Sequence, residues 1–84
     1  MDTLDDIRRL AAKHFNRDPH TIDPDVPIGA LGADSLGFLE FLFELEEHFS
    51  IIIPQEEAGQ IGTLRDLAAW VDRLVLAQTS TGTP

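Results

Sequence analysis

The sequence predicts an all-α protein: an antiparallel four-helix bundle with a short third helix and a long loop between helices 1 and 2. Apolar residues recur at helical spacing in several segments, and no segment alternates apolar and polar residues as a half-buried strand does. A chain of 84 residues also makes one small domain. We expect this domain to cover residues 2–77 and the polar end, residues 78–84, to form a flexible tail.

The first helix is predicted from apolar residues spaced three and four apart. They are Leu4, Ile7, Leu10, Ala11, His14 and Phe15. Thr3 followed by Asp6 has the form of a capping box, which would mark the start of this helix. Asn16 and Pro19 indicate its end.

A long connection follows the first helix, because Pro24 and Pro27 forbid regular helix until about residue 34. Loops beyond about 12 residues are usually either disordered or functional. The apolar side chains of Val26, Ile28 and Leu31 argue against disorder here. We therefore expect a loop that packs across the core.

Two more helices are predicted in the C-terminal part of the chain. Pro54 suits the start of a short third helix, which Gly59 and Gly62 would end. Thr63 and Asp66 form another capping box, at the start of the last helix. The apolar stripe of that helix consists of Leu64, Leu67, Ala68, Val71, Leu74 and Val75.

The second helix, over residues 35–49, has two apolar faces. At about 100° per residue, one sector collects the predicted core residues Phe38, Phe41, Leu42, Leu45 and Phe49. The opposite face mixes apolar and acidic residues: Leu36, Leu39, Glu40, Phe43, Glu46 and Glu47. Such a mixture is typical of a surface that binds a partner protein. The alternative is that Leu39 or Phe43 packs beneath the long loop.

The charge of the chain narrows the choice of partners. Fifteen acidic residues against six basic ones leave a net charge of −9, so nucleic acid and anionic membranes are poor partners. An acidic surface instead attracts basic protein surfaces. The acidic N-terminus and the lack of any apolar run near 20 residues predict a cytoplasmic protein without a membrane span.

The residue types present also limit the chemistry. There is no cysteine, so the chain has no disulfide and no thiolate nucleophile, and any thiol it uses must be supplied by another molecule. The three histidines lack metal-ligand spacing, and we predict no metal site. We also predict no catalytic residue, because the chain is too small for the common enzyme folds.

Asp34, Ser35 and Leu36 stand at the head of the second helix. Asp or Ser before an apolar helical run is commonly an N-cap, and here Ser35 is expected to contribute to the cap. A nucleophile elbow is excluded, because no strand leads into Ser35 and its flanking glycines, Gly32 and Gly37, do not fit G-x-S-x-G. A phosphodiester on Ser35 would lie at a helix N-terminus, where free N–H groups and the helix dipole favour negative charge. The position therefore suits modification by a phosphate-linked group.

With these residues, the chain resembles the acyl carrier proteins over about residues 3–76. The resemblance rests on LGADSL at residues 31–36, on the later LE, LEE and I-x-I-P motifs of the second helix and its end, and on IGTLRDL at residues 61–67. It implies that Ser35 carries a 4′-phosphopantetheine arm whose thiol holds an acyl group as a thioester, with Asp34 and Leu36 beside the arm. It also implies a non-catalytic, monomeric carrier.

The same resemblance implies the partners and the surface they use. They would be a phosphopantetheinyl transferase and a ketosynthase, acyltransferase or acyl-activating enzyme with a basic docking patch. The docking surface would be the outer face of the second helix, with Leu36, Leu39, Glu40, Phe43, Glu46 and Glu47. The chain departs from the pattern of fatty-acid carriers at Gly37, at Ile52 and in the aromatic residues of the second helix. Polyketide or modified fatty-acid synthesis is therefore as good a prediction as primary lipid synthesis. A peptidyl or aminoacyl carrier and an unmodified acidic adaptor remain alternatives.

Overall fold

The computed structural model describes residues 2–32 and 34–81. It contains the α-helices α1 (Thr3–His14), α2 (Ser35–Phe49) and α3 (Leu64–Thr81), and a short 3₁₀ helix, Gln55–Gln60, between α2 and α3. The long connection between α1 and α2 holds two 3₁₀ turns, Pro19–Thr21 and Ile28–Leu31. No strand occurs within the described ranges. The predicted all-α fold with four helices and a short third helix is confirmed.

The start of α1 differs from the prediction. The N-cap is Asp2, whose Oδ1 accepts a hydrogen bond from the Leu4 N–H at 3.2 Å, so the capping box expected at Thr3 and Asp6 is wrong. Thr3 is already helical, and its hydroxyl donates to the Asp72 carboxylate of α3. At α3 the expected cap is present, because the Asp66 N–H donates to Thr63 Oγ1 at 3.1 Å.

The short third helix is a 3₁₀ helix with i→i+3 hydrogen bonds. The Glu57 N–H donates to the Pro54 carbonyl and the Ile61 N–H to the Ala58 carbonyl, both at 3.1 Å. Pro54 is the cap residue before its first turn, and only Ala58 of this helix is buried. The helix is therefore a cover on the core with little packing of its own.

The core is built mainly from one face of each α-helix. Its largest fully buried side chains are Ile7, Phe41, Leu42, Leu45, Leu64, Leu67 and Val71. The predicted core face of α2 is confirmed, with Phe38 and Phe49 partly buried against the same cluster. The long connection adds Ile22, Ile28 and Leu31 to the core, so it does pack across it as expected.

The end of the last helix also differs from the prediction. α3 continues to Thr81, so the expected tail from residue 78 begins inside a helix. The Gln78 amide accepts from the Ile52 N–H at 2.9 Å and donates to the Ile52 carbonyl at 2.8 Å. These bonds explain why the polar Gln78 belongs to the folded part. Residues 82–84 lie outside the described residues.

Candidate functional site around Ser35

Ser35 is the first residue of α2, and its neighbour Asp34 is the N-cap. The backbone of Asp34 is extended, and its Oδ1 accepts a hydrogen bond from the Gly37 N–H at 2.7 Å. The expectation that Ser35 contributes to the cap is therefore wrong, because the longer Asp34 side chain already reaches the third N–H of the turn. Ser35 is exposed, and its hydroxyl bonds to no other described residue. The hydroxyl is thus open to a modifying enzyme.

Gly37 lies close to the carboxylate that caps this helix. A Cβ added at Gly37 would lie 3.1 Å from Asp34 Oδ1 and 3.7 Å from Phe15 Cε1. Only the distance to Asp34 is shorter than ordinary van der Waals contact, so the absent side chain leaves room for the capping carboxylate alone.

A cavity of about 280 Å³ adjoins Ser35. Its lining comes from three separate segments: Pro27, Ile28 and Gly29 of the loop, Asp34, Ser35 and Phe38 of α2, and Ala58, Gly59, Ile61 and Gly62. A Cβ at Gly29, Gly59 or Gly62 would meet nothing within 4 Å, so these glycines leave open space that side chains would fill. Apart from Asp34 and Ser35 the lining side chains are apolar, which fits a group with a polar attachment point and an apolar remainder.

Backbone bonds hold the loop wall of this cavity in place. Pro27 pairs with Thr63 in an isolated bridge, and the Ile28 N–H donates to the Gly62 carbonyl at 2.8 Å. Sequence reasoning did not predict the cavity, because its walls come from segments about 30 residues apart. From the sequence, Gly59 and Gly62 are expected only to end the third helix, whereas Gly59 lies inside it.

An ion pair joins the same loop to the start of α3. Arg65 donates from Nε to Asp25 Oδ1 at 2.6 Å and from an Nη to Asp25 Oδ2 at 3.2 Å. These hydrogen bonds, with the nearby positive charge, lower the pKa of Asp25, and the carboxylate raises the pKa of Arg65 in return. Both side chains are exposed, so solvent weakens this ion pair.

The side chains on the outer face of α2 are only partly exposed and unbonded. Leu36 is 64% exposed and Phe43 is 48% exposed, which contradicts the alternative that Phe43 packs beneath the loop. Glu40 and Glu47 are exposed as well, whereas Leu39 is half-buried. Glu46 differs from the other acids, because its Oε2 accepts a hydrogen bond from the Ile53 N–H at 2.7 Å and so stabilises the turn after α2.

The described residues form neither a metal-binding cluster nor a membrane-spanning helix. No three His, Cys, Asp or Glu side chains lie close enough together to hold a metal ion. None of the described helices combines the length and the apolar character that crossing a bilayer requires.

Comparison with known proteins points to one family. The model of a family described as "Phosphopantetheine attachment site" matches residues 5–71. The chain is 37% identical over 73 residues to an acyl carrier protein of Helicobacter hepaticus, covering 86% of this chain and 96% of that protein. It is 36% identical to one of Wolinella succinogenes, with the same coverage. The solution structure of a holo acyl carrier protein from Geobacter metallireducens superposes with a TM-score of 0.81 at 25% identity, covering 100% of this chain and 97% of that one.

Proposed function

Since the chain belongs to the acyl carrier protein family, which carries a phosphopantetheine arm, we propose that Ser35 is the attachment residue. The observation that carries this proposal is the exposed Ser35 hydroxyl, without a hydrogen bond to any other described residue, at the first turn of α2 and beside a cavity. Asp34 supplies the cap, so modification of Ser35 does not disturb the helix start. The N–H groups of Ser35 and Leu36 form no bond to another described residue and can face the phosphodiester.

The chain contributes one nucleophile to its own loading. The Ser35 oxygen forms a bond to the phosphorus of coenzyme A that bears the pantetheine, its proton passes to a base of the transferase, and the adenosine 3′,5′-bisphosphate half leaves. When bound, the arm supplies the thiol that holds an acyl group as a thioester. The chain itself then acts as a non-catalytic carrier that presents this group to separate enzymes.

The cavity beside Ser35 supports a carrier of acyl groups. Apolar surface in a concave site is favourable for a hydrocarbon and excludes water from it. Phe38, Ala58 and Ile61 form apolar walls close to the attachment point. We expect the first part of an attached acyl chain to bind in this cavity.

We assign the docking of synthase and transferase enzymes to the outer face of α2. Leu36 and Phe43 are seven residues apart, which places them on the same side of the helix about 10 Å from each other. Glu40 lies between them and Glu47 one turn beyond, and both are exposed. A partner with a basic patch around apolar pockets would fit this surface, in fatty-acid or polyketide-type synthesis. Leu39 and Glu46 contribute less, because both are half-buried.

The intact mass of the protein tests the attachment residue. After incubation with coenzyme A and a promiscuous phosphopantetheinyl transferase, the wild-type chain should gain one phosphopantetheine increment, and Ser35→Ala should gain none. Ser50→Ala is the matched control, because Ser50 is also exposed but lies at the far end of α2. An unmodified wild type would favour the acidic adaptor, and a modified Ser35→Ala would place the arm elsewhere.

A further inference from the structure

Basic residues are distributed very unevenly along the chain. From Asp18 to Leu64 there is no lysine or arginine, although ten of the 15 acidic residues lie in this stretch. The stretch includes Ser35 and its cavity. Arg17 stands immediately before it and is the last lysine or arginine that precedes Ser35 in sequence.

The turn after α1 directs Arg17 toward the loop that leads to Ser35. Asn16 has a left-handed backbone with φ 56°, and the Arg17 N–H donates to the Ala12 carbonyl at 2.7 Å. The Arg17 side chain reaches across to the loop, where its Nε donates to the Leu31 carbonyl at 3.1 Å. One end of the guanidinium is therefore held in place.

The other end of the guanidinium lies over Gly32. A Cβ at Gly32 would be 3.6 Å from Arg17 Nη2, and the φ of 87° at Gly32 is one that favours glycine. The two Nη groups donate to no other described residue, and Arg17 is exposed. Since the bond to Leu31 uses only Nε, four N–H donors remain in the planar arrangement that matches phosphate oxygens.

We propose that Arg17 pairs with the phosphodiester on Ser35 and holds that end of the arm close to the protein. Two residues separate Gly32 from Ser35, so their Cα atoms are at most about 11 Å apart, and the long arginine side chain and the phosphodiester can close much of this distance. At physiological salt the two charges attract each other over about 8 Å. This role rests on the proposed attachment at Ser35, and it makes Arg17 a positioning residue rather than a catalytic one.

The test compares apo and holo forms of the whole protein, so that any purely structural effect of Arg17 cancels. The variants are Arg17→Gln, Arg17→Lys and, as the matched control, Arg73→Gln, which removes an exposed arginine of α3. Melting temperature is measured for both forms of each protein at low and at moderate salt. The NMR signal of the Arg17 side-chain Nε–H is followed during loading of the wild type.

At low salt, the holo form should gain more melting temperature over the apo form in the wild type and in Arg73→Gln than in Arg17→Gln. We expect this difference to be about 1–5 °C, because surface ion pairs are weak. Moderate salt should remove this difference, and the Arg17 Nε–H signal should shift on loading. Arg17→Lys should keep part of the effect, since lysine retains the positive charge but lacks the planar set of N–H donors. An equal holo-minus-apo value in wild type and Arg17→Gln, or an unmoved Nε–H signal, would overturn the role of Arg17. Failure of the wild type to gain mass would instead overturn attachment at Ser35.

Discussion

At the scale of single residues, Asp34 caps α2 and the adjacent Ser35 remains exposed. The sequence alone does not show which of the two residues is the cap. Both residue types cap helices well, and both precede an apolar helical run. The carboxylate of Asp34 bonds to the Gly37 N–H, while the Ser35 hydroxyl bonds to no other described residue. One residue therefore supports the helix, and its neighbour is free for chemistry.

This division predicts different costs for two alanine variants. Asp34→Ala should lower the free energy of unfolding by about 1 kcal/mol, the usual cost of losing an N-cap. Ser35→Ala should change it by less than about 0.5 kcal/mol, as is usual for exposed positions. Urea unfolding of the two apo proteins measures both values. Equal losses would mean that the serine hydroxyl shares the cap after all.

The ion pair between Asp25 and Arg65 predicts a dependence of stability on pH. Because hydrogen bonding to Arg65 lowers the pKa of Asp25 in the folded state, the pair stabilises the fold above the unfolded pKa of about 4. That contribution should disappear as the pH falls through the lower folded pKa. The difference in unfolding free energy between wild type and Asp25→Asn, followed from pH 7 to pH 2.5, should shrink in this range. A difference that stays constant would show that the ion pair does not contribute.

At the scale of elements, α2 serves the core with one face and the surface with the other. Phe41 is completely buried against the rings of His14 and Phe15, with centroid distances of 5.6 Å to both. Phe43, two residues later, points about 160° away and is 48% exposed. The helix can thus lose an outer side chain without losing its packing.

Alanine substitutions at Phe41 and Phe43 should therefore affect different properties of the protein. Phe41→Ala should cost about 3–5 kcal/mol through a core cavity, comparable with the whole stability of a small domain. Phe43→Ala should cost less than about 1 kcal/mol yet slow modification or acyl transfer by a partner enzyme, since it removes an apolar contact beside Glu40 and Glu47. Thermal unfolding and the rate of loading by a transferase separate the two effects. If Phe43→Ala melts as early as Phe41→Ala, the outer face is not a free docking surface.

At the scale of the whole molecule, the net charge of −9 acts on both folding and association. Like charges repel each other in the compact state, most strongly where Glu40, Glu44 and Glu47 follow one another along α2. The same field would attract basic partners to the proposed docking surface on α2. Stability and docking should therefore respond to salt in opposite directions.

Moderate salt should raise the melting temperature of the isolated protein and weaken its binding to a basic synthase, because screening reduces both the repulsion and the attraction. Scanning calorimetry and a binding titration at low and moderate sodium chloride measure the two effects. A melting temperature that does not change with salt would indicate that the acidic residues are already too dispersed to repel each other.

The sequence by itself determined the helices, the core face of α2 and the family. Helical spacing and the positions of proline and glycine act over a few neighbouring residues, so Phe41 and Leu45 could be placed in the core without coordinates. LGADSL likewise points to Ser35 as the proposed attachment residue from local residues alone. Helix limits were misplaced at the start of α1 and at Gln78, where Thr3 and Gln78 bond to distant residues. Gly59 also lies inside the third helix, although the sequence predicts it as an end.

The tertiary structure decided everything that depends on contacts between distant segments. It chose Asp34 over Ser35 as the cap, because a helix start depends on side-chain reach as well as on residue type. It placed the Glu46 carboxylate on the Ile53 N–H, within the protein. It also formed the cavity beside Ser35 from three separate segments. It also brought Arg17 to the Leu31 carbonyl, 14 residues away. Such contacts follow from packing in three dimensions, which spacing along the chain does not encode.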